Sequence, residues 1–272
     1  MEHTKGVNSL FLKIHDSTLL KDQKGLIIMA FEKGDAGKST RRLADRRYVG
    51  RVIVTLIGVA AMALLLYLMP NFKGIAGLVV VVIIMKFIME LTDKEIKRYE
   101  KRERQASRGA RAEEKVGDFL KQLPDDYAVF HDIESPYGNI DHVVLNKKNN
   151  IFLLETKSHG GEVVYDGKNL LINGKLPEKD FINQILNNIY WLRDEIKKQN
   201  GMTVFIKPII VFTNAFVRVP TPVKNISIIN KKFLLKTLTQ TQGYKTKVEN
   251  NPKTVSLFTV LQRLQKVNED NL

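Results

Sequence analysis

The chain has 272 residues, enough for one sizeable domain and additional segments. Lysine and arginine number 43 against 29 acidic residues, a formal charge of +14 that favours an acidic partner, nucleic acid or an anionic membrane surface, and is silent on fold. Cysteine is absent, which excludes disulfides, thiolate-ligated zinc and thiol chemistry, and the five histidines show no metal-ligand spacing.

Residues 1–50 form a basic, cytoplasmic N-terminal segment with no clear element beyond the short apolar run Leu26–Phe31. Met29 precedes a basic stretch that suits the inner flank of a membrane hairpin, and translation is expected to start there. Gly37-Lys38-Ser39 resembles the end of a phosphate-binding loop, but Glu32 stands where that motif needs glycine, and no nucleotide-binding domain fits before the next apolar run. The stretch therefore reads as a basic linker.

Two apolar segments follow within residues 51–91. Val52–Met69 carries no charge, Pro70-Asn71-Phe72-Lys73 breaks it, and Gly74–Leu91 is apolar apart from Lys86 and Glu90. Eighteen helical residues span about 27 Å, close to the hydrocarbon thickness of a bilayer. Both segments are apolar on every face, so a transmembrane hairpin is expected rather than a buried soluble one. Arg41, Arg42, Arg46, Arg47 and Arg51 precede it, and Lys94, Lys97, Arg98, Lys101, Arg102, Arg104 and Arg108 follow it, whereas the connecting loop holds only Lys73. The positive-inside rule then places both ends, and everything after them, in the cytoplasm of a protein with two spans in the cell membrane. Residues 92–106 read as a charged helical stalk whose basic excess lies against anionic lipid headgroups.

A soluble domain is expected over 107–240. Ser107 is placed to cap a helix ending near Leu123, before Pro124, with Ala112, Val116, Phe119, Leu120 and Leu123 on its apolar face. Glu113 leans toward that face, while Glu114 aligns with Asp118 and Lys121 on the wet one. Strands are expected at Tyr127–Ile133, Ile140–Leu145 and Ile151–Lys157, then a turn at Gly160-Gly161 and a hairpin pairing 162–165 with 170–172 around Asp166-Gly167. Asp180 caps a helix to Lys198 with Phe181, Ile185, Ile189, Leu192 and Ile196 inward, and Gln184, Asn188 and Trp191 on the adjoining stripe. A buried strand at 203–213, a short strand at 226–229 and a helix at 231–239 complete the domain. A C-terminal helical extension, 241–272, contains a helix from Pro252 to Val267. The element order fits an α/β sandwich around a mixed sheet, with the 203–213 strand returning parallel to a core strand.

The chemistry concentrates at Asn139–Lys157. Side chains alternate along a strand, so Glu155 and Lys157 share a face, and hairpin pairing lays Asp141 at the start of one strand beside the end of the next. Two carboxylates are the usual protein contribution to a Mg²⁺ or Mn²⁺ site, and a lysine beside them can orient water or offset charge on a phosphorane.

Asp141 followed by Glu155-Thr156-Lys157 resembles the D…(D/E)-x-K signature of the PD-(D/E)xK nuclease superfamily. More narrowly, Gly109-Ala110-Arg111-Ala112-Glu113, Asn139-Ile140-Asp141-His142, Glu155-Thr156-Lys157 and Gln184 resemble the nuclease-related domain, NERD, over about 107–240. The resemblance implies a restriction-endonuclease-like core, a mixed sheet flanked by helices, here preceded by the transmembrane hairpin. It also implies phosphodiester hydrolysis of nucleic acid, with DNA the expected substrate. Asp141 and Glu155 would bind Mg²⁺ or Mn²⁺, Lys157 would serve catalysis, and Glu113 and Gln184 would support the site. The family tends to have glycine before the helix glutamate; Ala112 stands there and is expected to be tolerated. The alternative expectations are a non-catalytic nucleic-acid-binding module and a membrane scaffold that retain the fold.

Overall fold

The computed structural model describes residues 29–68, 74–220, 222–240 and 256–270. Residues 1–28, the break between the apolar segments at 69–73 and the expected helix start at Pro252 lie outside the described residues. The chain divides into two compact units, one of residues up to 38 and from 111 onward, the other of residues 39–110.

The first unit is built on a seven-stranded mixed sheet. Its strands are β1 (Phe31–Lys33), β2 (Tyr127–Ile133), β3 (Ile140–Asn146), β4 (Ile151–Tyr165), β5 (Leu170–Ile172), β6 (Ile206–Arg218) and β7 (Ser227–Asn230). They are ordered β1-β2-β3-β4-β6-β7, with β5 paired to β4 off this path. The β2–β3–β4 meander is antiparallel, as two short polar connections require, and β4–β6 and β6–β7 are parallel. The return that makes β6 parallel to β4 runs through α3 (Phe181–Asn200). Asp180 caps that helix by accepting from the Ile182 and Asn183 N–H groups, and Gly201 ends it in the left-handed conformation.

Both faces of the sheet are covered, which explains why the start of β4 is an unbroken apolar run. On one face Ile185, Leu192 and Ile196 of α3 and Leu257, Phe258 and Leu261 of α5 (Leu257–Asp270) pack on Phe130, Val143, Leu153 and Phe212. On the other, Val116 and Leu120 from the end of α2 (Gly74–Leu120) and Leu234 and Leu238 from α4 (Leu234–Gln240) pack on Val129, Val144, Phe152 and Val211. Segments far apart in sequence meet in this core. Phe31 of β1 lies 5.1 Å from Phe258 of α5, ring centre to ring centre, and Phe258 lies 5.6 Å from Phe130 of β2.

The second unit holds α1 (Lys38–Leu68) from Ser39 onward and α2 as far as Ala110. Gly50 lies against Tyr99 and Gly58 against Thr92, so contacts advance along one helix as they retreat along the other, as a hairpin requires. Arg47 Nη1 donates to the Arg102 carbonyl at 2.6 Å. Both helices are long and apolar enough to cross a membrane, and Leu56, Ile57, Ile75 and Ile83 are exposed. A core helix of a soluble protein would bury such side chains.

Two local expectations are corrected. Ser107 caps nothing: α2 runs 47 residues from Gly74 to Leu120 without a break, because the flanking Arg, Ala, Glu and Lys residues are strong helix formers. Gly160-Gly161 is not a turn between strands. Both glycines lie inside β4, which continues to Tyr165 because β6 runs on to Arg218 beside it and supplies hydrogen-bonding partners.

Gly161 is nevertheless constrained. Its φ is +89°, and a Cβ there would collide with the Asn173 side-chain amide, which accepts the Glu162 N–H at 2.9 Å. At Gly160 the nearest atom to such a Cβ is the Asn214 carbonyl, 3.8 Å away. Gly161→Ala should destabilise the protein by about 1–3 kcal/mol, and Gly160→Ala by less than about 1 kcal/mol. Thermal melts of the two variants check this; equal melting temperatures would contradict the strained position at 161.

Candidate active site

The site forms where β3 and β4 finish their pairing. The ladder pairs Leu145 with Ile151 and ends with His142 opposite Leu154, so the next step sets Asp141 beside Glu155. Asp141 accepts the Thr156 N–H through Oδ2, which locks its carboxylate against β4. Glu155 and Lys157, two residues apart on β4, are joined on one face: Lys157 Nζ donates to Glu155 Oε1 at 2.7 Å. From α3, Gln184 closes the triangle, its Nε2 donating to Glu155 Oε1 at 2.7 Å and its Oε1 accepting from Lys157 Nζ at 3.0 Å. The ammonium also lies 4.3 Å from the centre of the Phe181 ring, in the first turn of α3, which adds a cation–π contact.

These charges are out of water. Glu155 is 3 % exposed, Glu113 7 % and Lys157 9 %. The apolar face of α2 turns Glu113 inward, with Ala112, Val116 and Leu120 buried around it. Burial of the Asp141 carboxylate pushes its pKa well above the usual range. The negative charges of Glu155 and then Glu113 push the same way, and Lys157 and the Thr156 N–H only partly oppose them. Five residues expected from the sequence, Glu113, Asp141, Glu155, Lys157 and Gln184, are thus in one electrostatic or hydrogen-bonded set. Glu114, expected on the wet face, is half-buried.

Several polar residues of the neighbourhood were given no role by the sequence. His131 and His142 face each other across β2 and β3 with their Nδ1 atoms 2.7 Å apart, so one ring donates and the other accepts. Burial, and then His131, pushes the His142 pKa well below the usual histidine value. Asn188, one turn after Gln184, is fully buried and its Oδ1 lies 2.8 Å from Ser135 Oγ, which ties α3 to the β2–β3 loop that delivers Asp141. A buried asparagine on the polar stripe beside Gln184 was the available signal; nothing in the sequence marks Ser135.

Among the described residues, no three His, Asp or Glu side chains stand together as a ready-made metal cage. The donor set still suits a hard divalent cation of the Mg²⁺ type, which takes one or two carboxylates and completes its shell with water and substrate oxygens. Glu155 Oε2 is buried with no hydrogen-bond partner, an acceptor in need of a cation or a donor.

Residues 108–213 match the nuclease-related domain, NERD. The chain carries a nuclease-related domain. The match contains all five site residues and ends in β6 of the sheet. No curated protein and no solved structure matches the chain. In this NERD domain, Ala112 sits at the position the family tends to give to glycine, and it is buried on α2 without a break in the helix.

The charge balance of the site carries a stability consequence. A carboxyl whose pKa is raised by folding weakens the fold when ionised, so Asp141→Asn should raise the melting temperature at neutral pH in EDTA. Lys157→Met removes the ammonium that Glu155 bonds and should destabilise by about 3–5 kcal/mol, the cost of breaking a buried pair. Melts of both variants beside the parent check the signs. A less stable Asp141→Asn would mean that the acids are not in electrostatic excess.

Proposed function

We propose that the protein is a membrane-anchored nuclease that hydrolyses phosphodiester bonds of nucleic acid, DNA in the first instance, with Mg²⁺ or Mn²⁺. The observation that carries this reading is the buried Glu155–Lys157–Gln184 triangle with Asp141 held across the strand pair, inside a nuclease-related domain. Asp141 and Glu155 would hold the divalent cation, which supplies a Lewis acid for the phosphoryl oxygen and an acidified water. Glu155 divides its oxygens between two tasks: Oε1 anchors Lys157 and Gln184, and Oε2 is left for the cation. Gln184 bonds both partners at once and so fixes the distance between the acid and the base. Lys157, held by two hydrogen bonds and the Phe181 ring, keeps its ammonium at a fixed point, where it can orient an attacking water or meet charge developing on phosphorus. Glu113 adds negative charge behind Asp141 and favours a cation there.

Membrane anchoring rests on the two long apolar helices and on chain connectivity. β1 precedes the first of these helices, β2 follows the second, and both lie in the same sheet. A hairpin returns the chain to the side it left, which is what one folded sheet requires. By the positive-inside rule, the arginines before Val52 and the basic run after Leu91 favour the cytoplasm as that side.

Cleavage of duplex and single-stranded oligonucleotides by the full chain in lipid nanodiscs tests the chemistry. EDTA should abolish it and Mn²⁺ restore it. Asp141→Asn should lose activity together with metal affinity, since one anionic ligand becomes an amide. Lys157→Ala should keep the metal and lose about 10²–10³-fold in rate. Glu114→Ala should cost little. Full activity in both Asp141→Asn and Lys157→Ala would remove the site assignment. For topology, the chain offers a cysteine-free background. An impermeant thiol reagent outside intact cells should label Asn71→Cys and spare Lys168→Cys, and the reverse pattern would invert the orientation.

A further inference from the structure

We propose that His159 is a substrate contact of this site, donating an imidazole N–H to a phosphodiester oxygen of the bound strand; the inference rests on the nuclease reading. Just beyond the catalytic lysine, β4 and β6 lose register. Lys157 faces Phe212, but Gly160 faces Asn214, so Ser158 and His159 together oppose the single residue Thr213. Bulges of this kind re-aim side chains and gather next to active sites.

This one is built rather than slack. Thr213 Oγ1 donates to the Lys157 carbonyl at 3.4 Å and Asn214 Nδ2 to the Ser158 carbonyl at 3.3 Å, so two side chains of β6 hold the carbonyls that lead into it. Its effect is to carry the strand from a buried lysine to an exposed histidine within two residues.

The histidine remains tied to the site. Its ring centre lies 5.3 Å from that of Phe181, whose ring also takes the Lys157 ammonium at 4.3 Å. One aromatic ring therefore contacts both groups. Next along the strand is Gly160, exposed and without a side chain, where the nearest atom to a Cβ would be the Asn214 carbonyl at 3.8 Å, so a ligand can approach the backbone closely beside the imidazole. An N–H donor at the rim, a fixed ammonium inside and bare backbone alongside suit an anionic strand that enters at Lys157 and continues past His159.

The competing role is structural, with the ring merely covering the edge of Phe181. Two substitutions separate the roles. His159→Phe keeps the ring and removes the N–H; His159→Gln keeps a donor and removes the ring. On the full chain in nanodiscs with Mn²⁺ and a fluorescent duplex oligonucleotide, His159→Phe should raise KM about tenfold with kcat within about twofold, the loss of one hydrogen bond to a charged group. His159→Gln should stay within about threefold of the parent KM, and neither should change the melting temperature. A parent-like His159→Phe would overturn the proposal, as would a KM defect confined to His159→Gln. If the parent binds the oligonucleotide without cleaving it, catalysis falls, and a tenfold weaker Kd for His159→Phe upholds the contact while an unchanged one ends it. A parent that neither binds nor cleaves removes both readings.

Discussion

A buried ammonium shared by a carboxylate and an amide is the interaction on which this site depends. Taking Glu155, Glu113 and Lys157 out of water is uphill by several kcal/mol per charge, and the Lys157–Glu155 bond offsets only part of it. Asp141 resists ionisation first because it is buried and then because the neighbouring acids outnumber the ammonium. Such an arrangement persists only where the scaffold over-determines it. Here an apolar layer presses on each face of the sheet, the antiparallel ladder sets Asp141 beside Glu155, and a capped helix delivers Gln184 and Phe181. On the proposed reading, the residual negative charge is a preorganised demand for a cation, and Glu155 Oε2, buried without a hydrogen-bond partner, is its most exacting part.

The parts of this site that follow a local period were legible in the sequence. Glu155 and Lys157 share a face because strands alternate, and Asp141 joins them because a five-residue polar connection between apolar runs implies a hairpin. Helical periodicity turned Glu113 inward, and Asp180 read correctly as a cap. Gln184 was different: periodicity placed it only on the flank of its helix, and the family resemblance alone gave it a place in the site. What remained hidden depends on register between distant segments. The His131–His142 pair exists because β2 and β3 align those two residues, and the β4 bulge exists because β6 contributes Thr213 and Asn214. Two glycines in succession look like a turn when the strand that pairs with them is about fifty residues away.

The N-terminal strand shows the same limit with a larger consequence. Phe31–Lys33 is too short and too polar to announce itself, yet it pairs with Ala128–Phe130 and brings Phe31 against Phe130 and Phe258. The sheet thus takes in chain from both sides of the apolar helices. On the proposed reading, this pairing binds the flanks of the membrane hairpin into one domain, and an even number of crossings becomes a condition for folding rather than an inference from charge alone.

The central claim is that Asp141 and Glu155 together form a divalent-cation site. Electron paramagnetic resonance of Mn²⁺ titrated into the full chain tests it without reliance on turnover or on any substrate. The account predicts one bound ion per chain in the parent and loss of that ion in the Asp141→Asn/Glu155→Gln double variant, with the fold intact by thermal melt. Equal Mn²⁺ binding by the parent and the double variant would contradict it.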